Sequence, residues 1–240
     1  MAVIAPARPL VVARRTRSAW VDTALAIAAA GGLLALYVRT LAPDVLGGDA
    51  GEMQFVPWIL SLAHPTGYPL QTLLGHACAR LVPWGSVAWR ANLLSAVSAA
   101  AGVALLYGAA RGYGASRGAA LLAILALGLS EAYWGQAIVG DKYALTAALL
   151  AALLHATARW RSTGSSGWLT ATAALYGLGL AQHRSLVLLG PPLLTLWALG
   201  ESGLLRRPRL AAHLVLSAAA PLLLYAWLPI GAARDLPPGT

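Results

Sequence analysis

Apolar residues come in long runs along this chain, and the polar residues are confined to the short stretches between them. The runs cover residues 20–38, 88–110, 119–134, 143–158, 168–181, 186–199 and 210–228. A helix rising about 1.5 Å per residue needs roughly 20 residues to cross ~30 Å of hydrocarbon, with some latitude for tilt and flanking residues. The pattern therefore predicts an all-α membrane protein with about seven transmembrane helices. The stretch 39–87 breaks the rule. Phe55, Val56, Ile59 and Leu60 have helical spacing, and Leu70, Leu73, Leu74, Ala77, Cys78 and Leu81 follow i, i+3, i+4, i+7, i+8 and i+11. Gln71, His76 and Arg80 lie on the opposite face of that second pattern. It predicts a helix about 20 Å long, too short to span, and so an amphipathic helix lying in the membrane interface within the first external loop.

Composition agrees with the pattern. Of 240 residues, 59% are hydrophobic and only 10% charged, against roughly a quarter charged in soluble domains. Mean hydropathy is +0.68. The first run is longer than the ~7–15 residues of a signal-peptide core and lacks a small-residue cleavage site, so it reads as a retained anchor. The single cysteine, Cys78, excludes an internal disulfide. The net charge of +9 changes the picture only through where it sits. No Lys/Arg-rich stretch carries interleaved aromatics, so nucleic acid is not a partner. With the N-terminus inside and one crossing per run, Arg8, Arg14, Arg15, Arg17, Arg111, Arg117, Arg159, Arg161, Arg206, Arg207 and Arg209 are cytoplasmic. Arg39, Arg80, Arg90, Lys142, Arg184 and Arg234 are external, with six of the eight acids. This is the positive-inside asymmetry; letting 70–82 cross as well would carry seven of the inside arginines outside. The expectation is a basic cytoplasmic segment 1–18, a membrane domain 19–235 with an external catalytic loop 39–87, and a tail 236–240. The location is a multi-pass position in a membrane, the bacterial inner membrane, with the active site extracytoplasmic.

That topology gathers the polar residues on one face. Asp49 and Glu52 stand among Gly47, Gly48 and Gly51, and His64-Pro65-Thr66-Gly67-Tyr68-Pro69 follows closely. Glycines let backbone bend sharply and a ligand approach, and a carboxylate with an ordinary pKa near ~4 is ionised at neutral pH, able to accept a proton or hold a metal. His183-Arg184 interrupts two apolar runs of about 14 residues each, which places the pair in a cavity below the outer surface. A charge at membrane depth costs about 2.5–3.5 kcal/mol, a penalty that a phosphate partner offsets, since arginine binds phosphate through paired hydrogen bonds. Glu131, Trp134, Gln136, Asp141, Lys142 and Tyr143 form a polar connection between two runs. No His/Cys/Glu spacing matches a zinc site.

Six blocks in order carry a family resemblance: "LAPDVLGGDAGE", "AHPTGYPLQTLLG", "GSVAWRANLLSA", "YWGQAIVGDKYAL", "GLGLAQHRSLVLLGPPLL" and "LYAWLPIGAARD". Together they resemble the family catalogued as domain of unknown function 2723, whose animal members include the transmembrane protein 260 type of protein O-mannosyltransferase. The likeness runs from Leu41 to Asp235. It implies a GT-C type membrane glycosyltransferase that moves a sugar from a polyprenyl-phosphate carrier to an acceptor hydroxyl, on protein or glycan, with inversion. On this resemblance Asp49 is the catalytic acidic residue of the first external loop, the candidate base for the acceptor hydroxyl, with Glu52 beside it. The substrate-binding candidates are His64, Tyr68, Arg90, Gln136, Asp141, Lys142, Tyr143, His183 and Arg184. Where the family usually shows Glu-Val-Tyr, this chain has Asp141-Lys142-Tyr143, an acid shortened and a lysine added. The family also continues past the Leu-Pro-Ile block, so a truncated chain is an open alternative. No metal ligands are assigned and no cofactor is required, with a divalent metal left open. A transporter would place charges inside several spans, which these runs lack; a non-catalytic membrane scaffold is the other rival, separated by turnover.

Overall fold

The computed structural model describes residues 19–201 and 204–235. The basic segment 1–18 and the tail 236–240 lie outside the described residues, as do the side chains of Arg234 and Asp235. Every one of the seven apolar runs is helical, whole or broken. The helices are α1 (Ala19–Thr40), α2 (Gly48–Ile59), α3 (Pro69–Leu81), α4 (Val87–Gly112), α5 (Arg117–Gly128), α6 (Glu131–Ala137), α7 (Lys142–Thr163), α8 (Ser166–Gln182), α9 (Gly190–Gly200), α10 (Pro208–Ala219) and α11 (Trp227–Asp235). A 3-10 turn, Arg184–Leu189, joins α8 to α9, and another, Ala220–Ala226, joins α10 to α11.

Three helical stretches are long and apolar enough to cross a membrane: Ala19–Thr40, Val87–Gly112 and Pro208–Ala233. A fourth arises if α5 and α6, bent by 65° at their junction, count as one span. The break is local: α5 ends at Gly128 with Leu129 as its C-cap, and Ser130 caps the next helix, its hydroxyl accepting from Tyr133 N. The surface fits a lipid solvent, with Leu122 72%, Leu223 76% and Ile27 65% exposed, while the interior is rich in alanine, Ala96, Ala99, Ala137, Ala144 and Ala156 among them. The chain is a membrane protein.

The long helices pack side by side in the order α1, α4, α7, α8, α10. Small residues set the spacing. A Cβ added to Gly102 would lie 3.3 Å from Ala148 Cα, and one at Gly112 would lie 2.8 Å from Ala158 Cβ. Such close approach is how apolar helices gain contact when burial from water gives no driving force. These pairings also make α4 and α7 run parallel. At one end of the bundle Asp22 of α1 accepts from Arg111 Nε (3.0 Å), Arg117 Nε (2.9 Å) and the Tyr107 hydroxyl (2.9 Å). At the other end α1 and α8 finish, α4 and α7 begin, and α2 and α3 pack across them.

Helix α3 forms where the periodicity places it, but its faces are assigned differently. Gln71, Thr72, Gly75 and Ala79 are buried, whereas Leu74 and Leu81 are exposed. The spacing sets Gln71 on the polar face opposite the leucine stripe, and it is this polar position that turns inward. The reversal has a physical reason: a helix among apolar surroundings presents leucines outward and keeps hydrogen-bonding groups inside, where they find partners.

Candidate active site

The glycines of the first loop have distinct tasks. A Cβ on Gly51 would meet the Leu46 carbonyl oxygen at 2.1 Å, so only glycine lets the chain fold back against the start of α2. Gly67, at φ +85, closes the turn after His64 by donating its N–H to the His64 carbonyl at 2.8 Å. The two turns bring Asp49, in the first turn of α2, close to His64. There His64 Nε2 lies 3.9 Å from Asp49 Oδ2. Glu52 holds His64 twice, accepting from its backbone N–H at 2.6 Å and from Nδ1 at 2.5 Å.

Lys142 enters from α7. Its ammonium donates to Asp49 Oδ2 at 2.5 Å and sits 3.2 Å from Asp141 Oδ1. It is 3% exposed, whereas the Asp49 side chain is 57% exposed. Its charge also lies near the rings of Tyr143 (4.9 Å to the centroid) and Tyr68 (5.6 Å), which favour a cation. Asp141 caps α7, accepting from Lys142 N at 2.6 Å, so one carboxylate both starts the helix and faces the ammonium. The Lys142 hydrogen bond and charge hold the Asp49 carboxyl below its ordinary range.

His183 completes the cluster, its ring 6.1 Å from that of Tyr68 and 5.9 Å from that of Tyr143. Burial, then the positive charges of Lys142 and Arg184, push its pKa down, so the ring is neutral at pH 7. Its Nδ1 accepts from Ser185 N (3.3 Å), which leaves Nε2–H as a donor. Arg184 beside it is exposed and makes no hydrogen bond or ion pair among the described residues.

Eight expected residues therefore come together: Asp49, Glu52, His64, Tyr68, Asp141, Lys142, Tyr143 and His183, with Arg184 at the margin. Two do not. Arg90 donates to the carbonyls of Ala79 (2.6 Å) and Val82 (3.2 Å), capping the end of α3. Gln136 faces a cleft of about 230 Å³ lined by Ala99, Leu127, Tyr133 and Ala144, which it shares with Tyr143. Glu131 is exposed in α6, apart from the cluster.

A layer of buried amides beneath the site was not anticipated from the sequence. Gln54 Nε2 donates to Asn92 Oδ1 (2.8 Å), Asn92 Nδ2 to the Ala42 carbonyl (2.7 Å), and Gln54 Oε1 accepts from Leu46 N (2.9 Å). Gln182 Nε2 reaches Gln71 Oε1 and the Lys142 carbonyl, both at 3.2 Å. These bonds tie the Asp49 loop and the start of α7 to α2, α3, α4 and α8. The available signal was a set of lone amides inside apolar helices, where each must find a partner.

Asp49, Glu52 and His64 offer oxygen and nitrogen atoms within 4.8 Å of one another, a spacing compatible with a divalent ion. The donor set does not fit one well. The Lys142 ammonium already neutralises Asp49, and both Glu52 oxygens are engaged by His64.

Known proteins resemble this chain throughout the region that builds the site. The sequence profile described as the protein O-mannosyl-transferase TMEM260 N-terminal domain matches residues 49–202. The protein O-mannosyl-transferase TMEM260 of Mus musculus is 30% identical over 212 residues, which is 85% of this chain and 30% of the mouse protein. The protein O-mannosyl-transferase tmem260 of Dictyostelium discoideum is 42% identical over 64 residues, 26% of this chain and 8% of that protein. No solved structure matches. The chain thus spans less than a third of the length of either relative. From its loop glycines to the end of α9, it belongs to the TMEM260 family of protein O-mannosyl-transferases.

Proposed function

We propose that this chain carries the catalytic membrane region of a GT-C type glycosyltransferase, which moves a sugar, mannose by family likeness, from a polyprenyl phosphate to a hydroxyl of a protein acceptor with inversion. All seven apolar runs cross the membrane in this reading, α7, α8 and the α9 segment included. Loop 39–87 faces the extracytoplasmic side. The observation that carries the proposal is the juxtaposition, at one end of an apolar bundle, of an open, ionised carboxylate, Asp49, with the buried Lys142 ammonium, and of His183 and Arg184 beside that ammonium.

The chemistry follows from the charges. The acceptor oxygen attacks the sugar's anomeric carbon, and the bond from that carbon to the phosphate oxygen breaks. The lipid phosphate leaves with the bonding electrons and needs no proton, but it does need positive charge and donors, which Arg184 and the His183 Nε2–H supply. Asp49 receives the acceptor hydroxyl from the open side. The apolar cleft beside Tyr143 offers the polyprenyl chain a seat next to the phosphate.

The test is transfer from polyprenyl-phosphate mannose to a Ser/Thr acceptor peptide by purified protein in lipid vesicles. Asp49→Asn is expected to lower kcat by about 10²-fold or more, because the acceptor hydroxyl loses the carboxylate that holds it in line. Arg184→Ala is expected chiefly to raise the KM for the lipid donor. Full turnover by Asp49→Asn would sink the proposal.

A further inference from the structure

Asp49 has a difficulty as the final resting place of the acceptor's proton. Its Oδ2 is hydrogen-bonded to an ammonium at 2.5 Å, which weakens it as a base. A second group faces the same space. Glu52 accepts from both the backbone N–H and Nδ1 of His64, and a carboxylate can only accept, so Nδ1 carries the hydrogen and Nε2 the lone pair. Nε2 lies 3.9 Å from Asp49 Oδ2, too far for a direct hydrogen bond. A hydroxyl carries one hydrogen, so one seated between these two acceptors shares it with both in a three-centre bond before transfer. Both side chains are reachable from outside, His64 34% and Asp49 57% exposed. Around His64 stand Glu52 and Asp49 of α2 and the Tyr68 ring, with Lys142 beyond Asp49 and His183 beyond Tyr68.

We propose that His64 is a catalytic residue, the base that takes the acceptor hydroxyl's proton on Nε2, with Glu52 as the positioning residue that fixes its tautomer and stabilises the imidazolium. This rests on the transferase reading above. As the new bond from oxygen to the anomeric carbon forms and the phosphate departs, the hydroxyl proton passes to Nε2, and Nδ1–H stays on Glu52. Asp49 holds the hydroxyl in line and remains paired with Lys142.

The experiment uses the full chain in vesicles with polyprenyl-phosphate mannose and acceptor peptide. Wild-type turnover is measured first; its absence would remove the transferase reading itself. Given wild-type turnover, His64→Ala is expected to lose about 10²–10³ in kcat with donor KM little changed, and added imidazole to restore at least tenfold. A merely structural histidine is not replaced by free imidazole. His64→Asn keeps an N–H for Glu52 and fills the space, so it is expected to fold, to lose the same turnover and to resist rescue. Glu52→Gln is expected to lower kcat and to weaken imidazole rescue in the His64→Ala background. The inference is overturned by native turnover in His64→Asn, by a folded His64→Ala that imidazole does not rescue, or by wild-type activity that EDTA abolishes and Mn²⁺ restores, which would make His64 a ligand.

Discussion

Lys142 shows how one side chain sets the electrostatics of the site. Taking an ammonium out of water costs several kcal/mol unless charges and dipoles replace the lost hydration. Here Asp49 and Asp141 lie within 3.2 Å and two tyrosine rings cover the sides. The arrangement reacts back on Asp49, whose carboxyl is held below its ordinary value of 3.8 by the Lys142 hydrogen bond and charge. The sign of the pH dependence follows. Asp49 binds its proton less readily folded than unfolded, so its contribution to stability is complete above about pH 4 and declines only as pH falls from there through the lowered value. The melting temperature of wild type should therefore exceed that of Asp49→Asn from neutral pH down to about pH 4 without the gap narrowing, and the gap should close in stronger acid. A margin that already shrinks between pH 7 and 5 would mean that Asp49 is not paired as described.

Among the helices, contact at backbone distance does the positioning. A Cβ on Gly177 of α8 would stand 1.9 Å from the Ala218 carbonyl oxygen of α10, an atom that cannot rotate away. Gly177→Ala must therefore part the two helices. A loss of about 1–3 kcal/mol or more is expected from overpacking of this kind, read as a lower melting temperature and earlier proteolysis of the α10 end. Gly118 in α5 is the internal control: nothing lies within 4 Å of its Cβ position, so Gly118→Ala should be neutral or stabilise by up to about 1 kcal/mol. Equal melting shifts for the two variants would refute the α8–α10 contact. The same packing explains what could be read from the sequence. Apolar runs and 3.6-residue spacing found the helices, because backbone in an apolar medium must satisfy itself. They did not find which face of α3 turns inward, because lipid and core are both apolar, and a leucine stripe marks either. Asp49, Lys142 and His183 stood out as polar breaks in the pattern. Arg90 looked equally available, and only the carbonyls at the end of α3 show that it is occupied.

Across the whole molecule the two ends differ in charge. One end gathers Arg111, Arg117, Arg159 and Arg161, with Asp22 ion-paired to two of them, and α4 and α7 both finish there. Glu201, with Arg207 at 3.6 Å and the Trp160 indole N–H at 3.4 Å, belongs to the same end. The opposite end holds Asp44, Asp49, Glu52 and Asp141, and the surplus of arginine there is small. Arginine resists transfer across a membrane during insertion, so the arginine-rich end should be cytoplasmic and the Asp49 end external. Orientation matters to the proposed chemistry: in that reading a protein acceptor and the head of a lipid-linked sugar arrive from the same compartment as Asp49 and Arg184. Two reporters separate the sides. In a Cys78→Ala background, Asp44→Cys sits on the first loop and Ser162→Cys on the exposed turn after α7. A membrane-impermeant maleimide added to intact cells should label Asp44→Cys and spare Ser162→Cys until the membrane is opened, whereas inverted vesicles should show the reverse. Labelling of both from one side would place α7 or α4 outside the bilayer. Exclusive external labelling of Ser162→Cys would turn the molecule over, and the proposed site would then meet neither an external acceptor nor the donor's sugar.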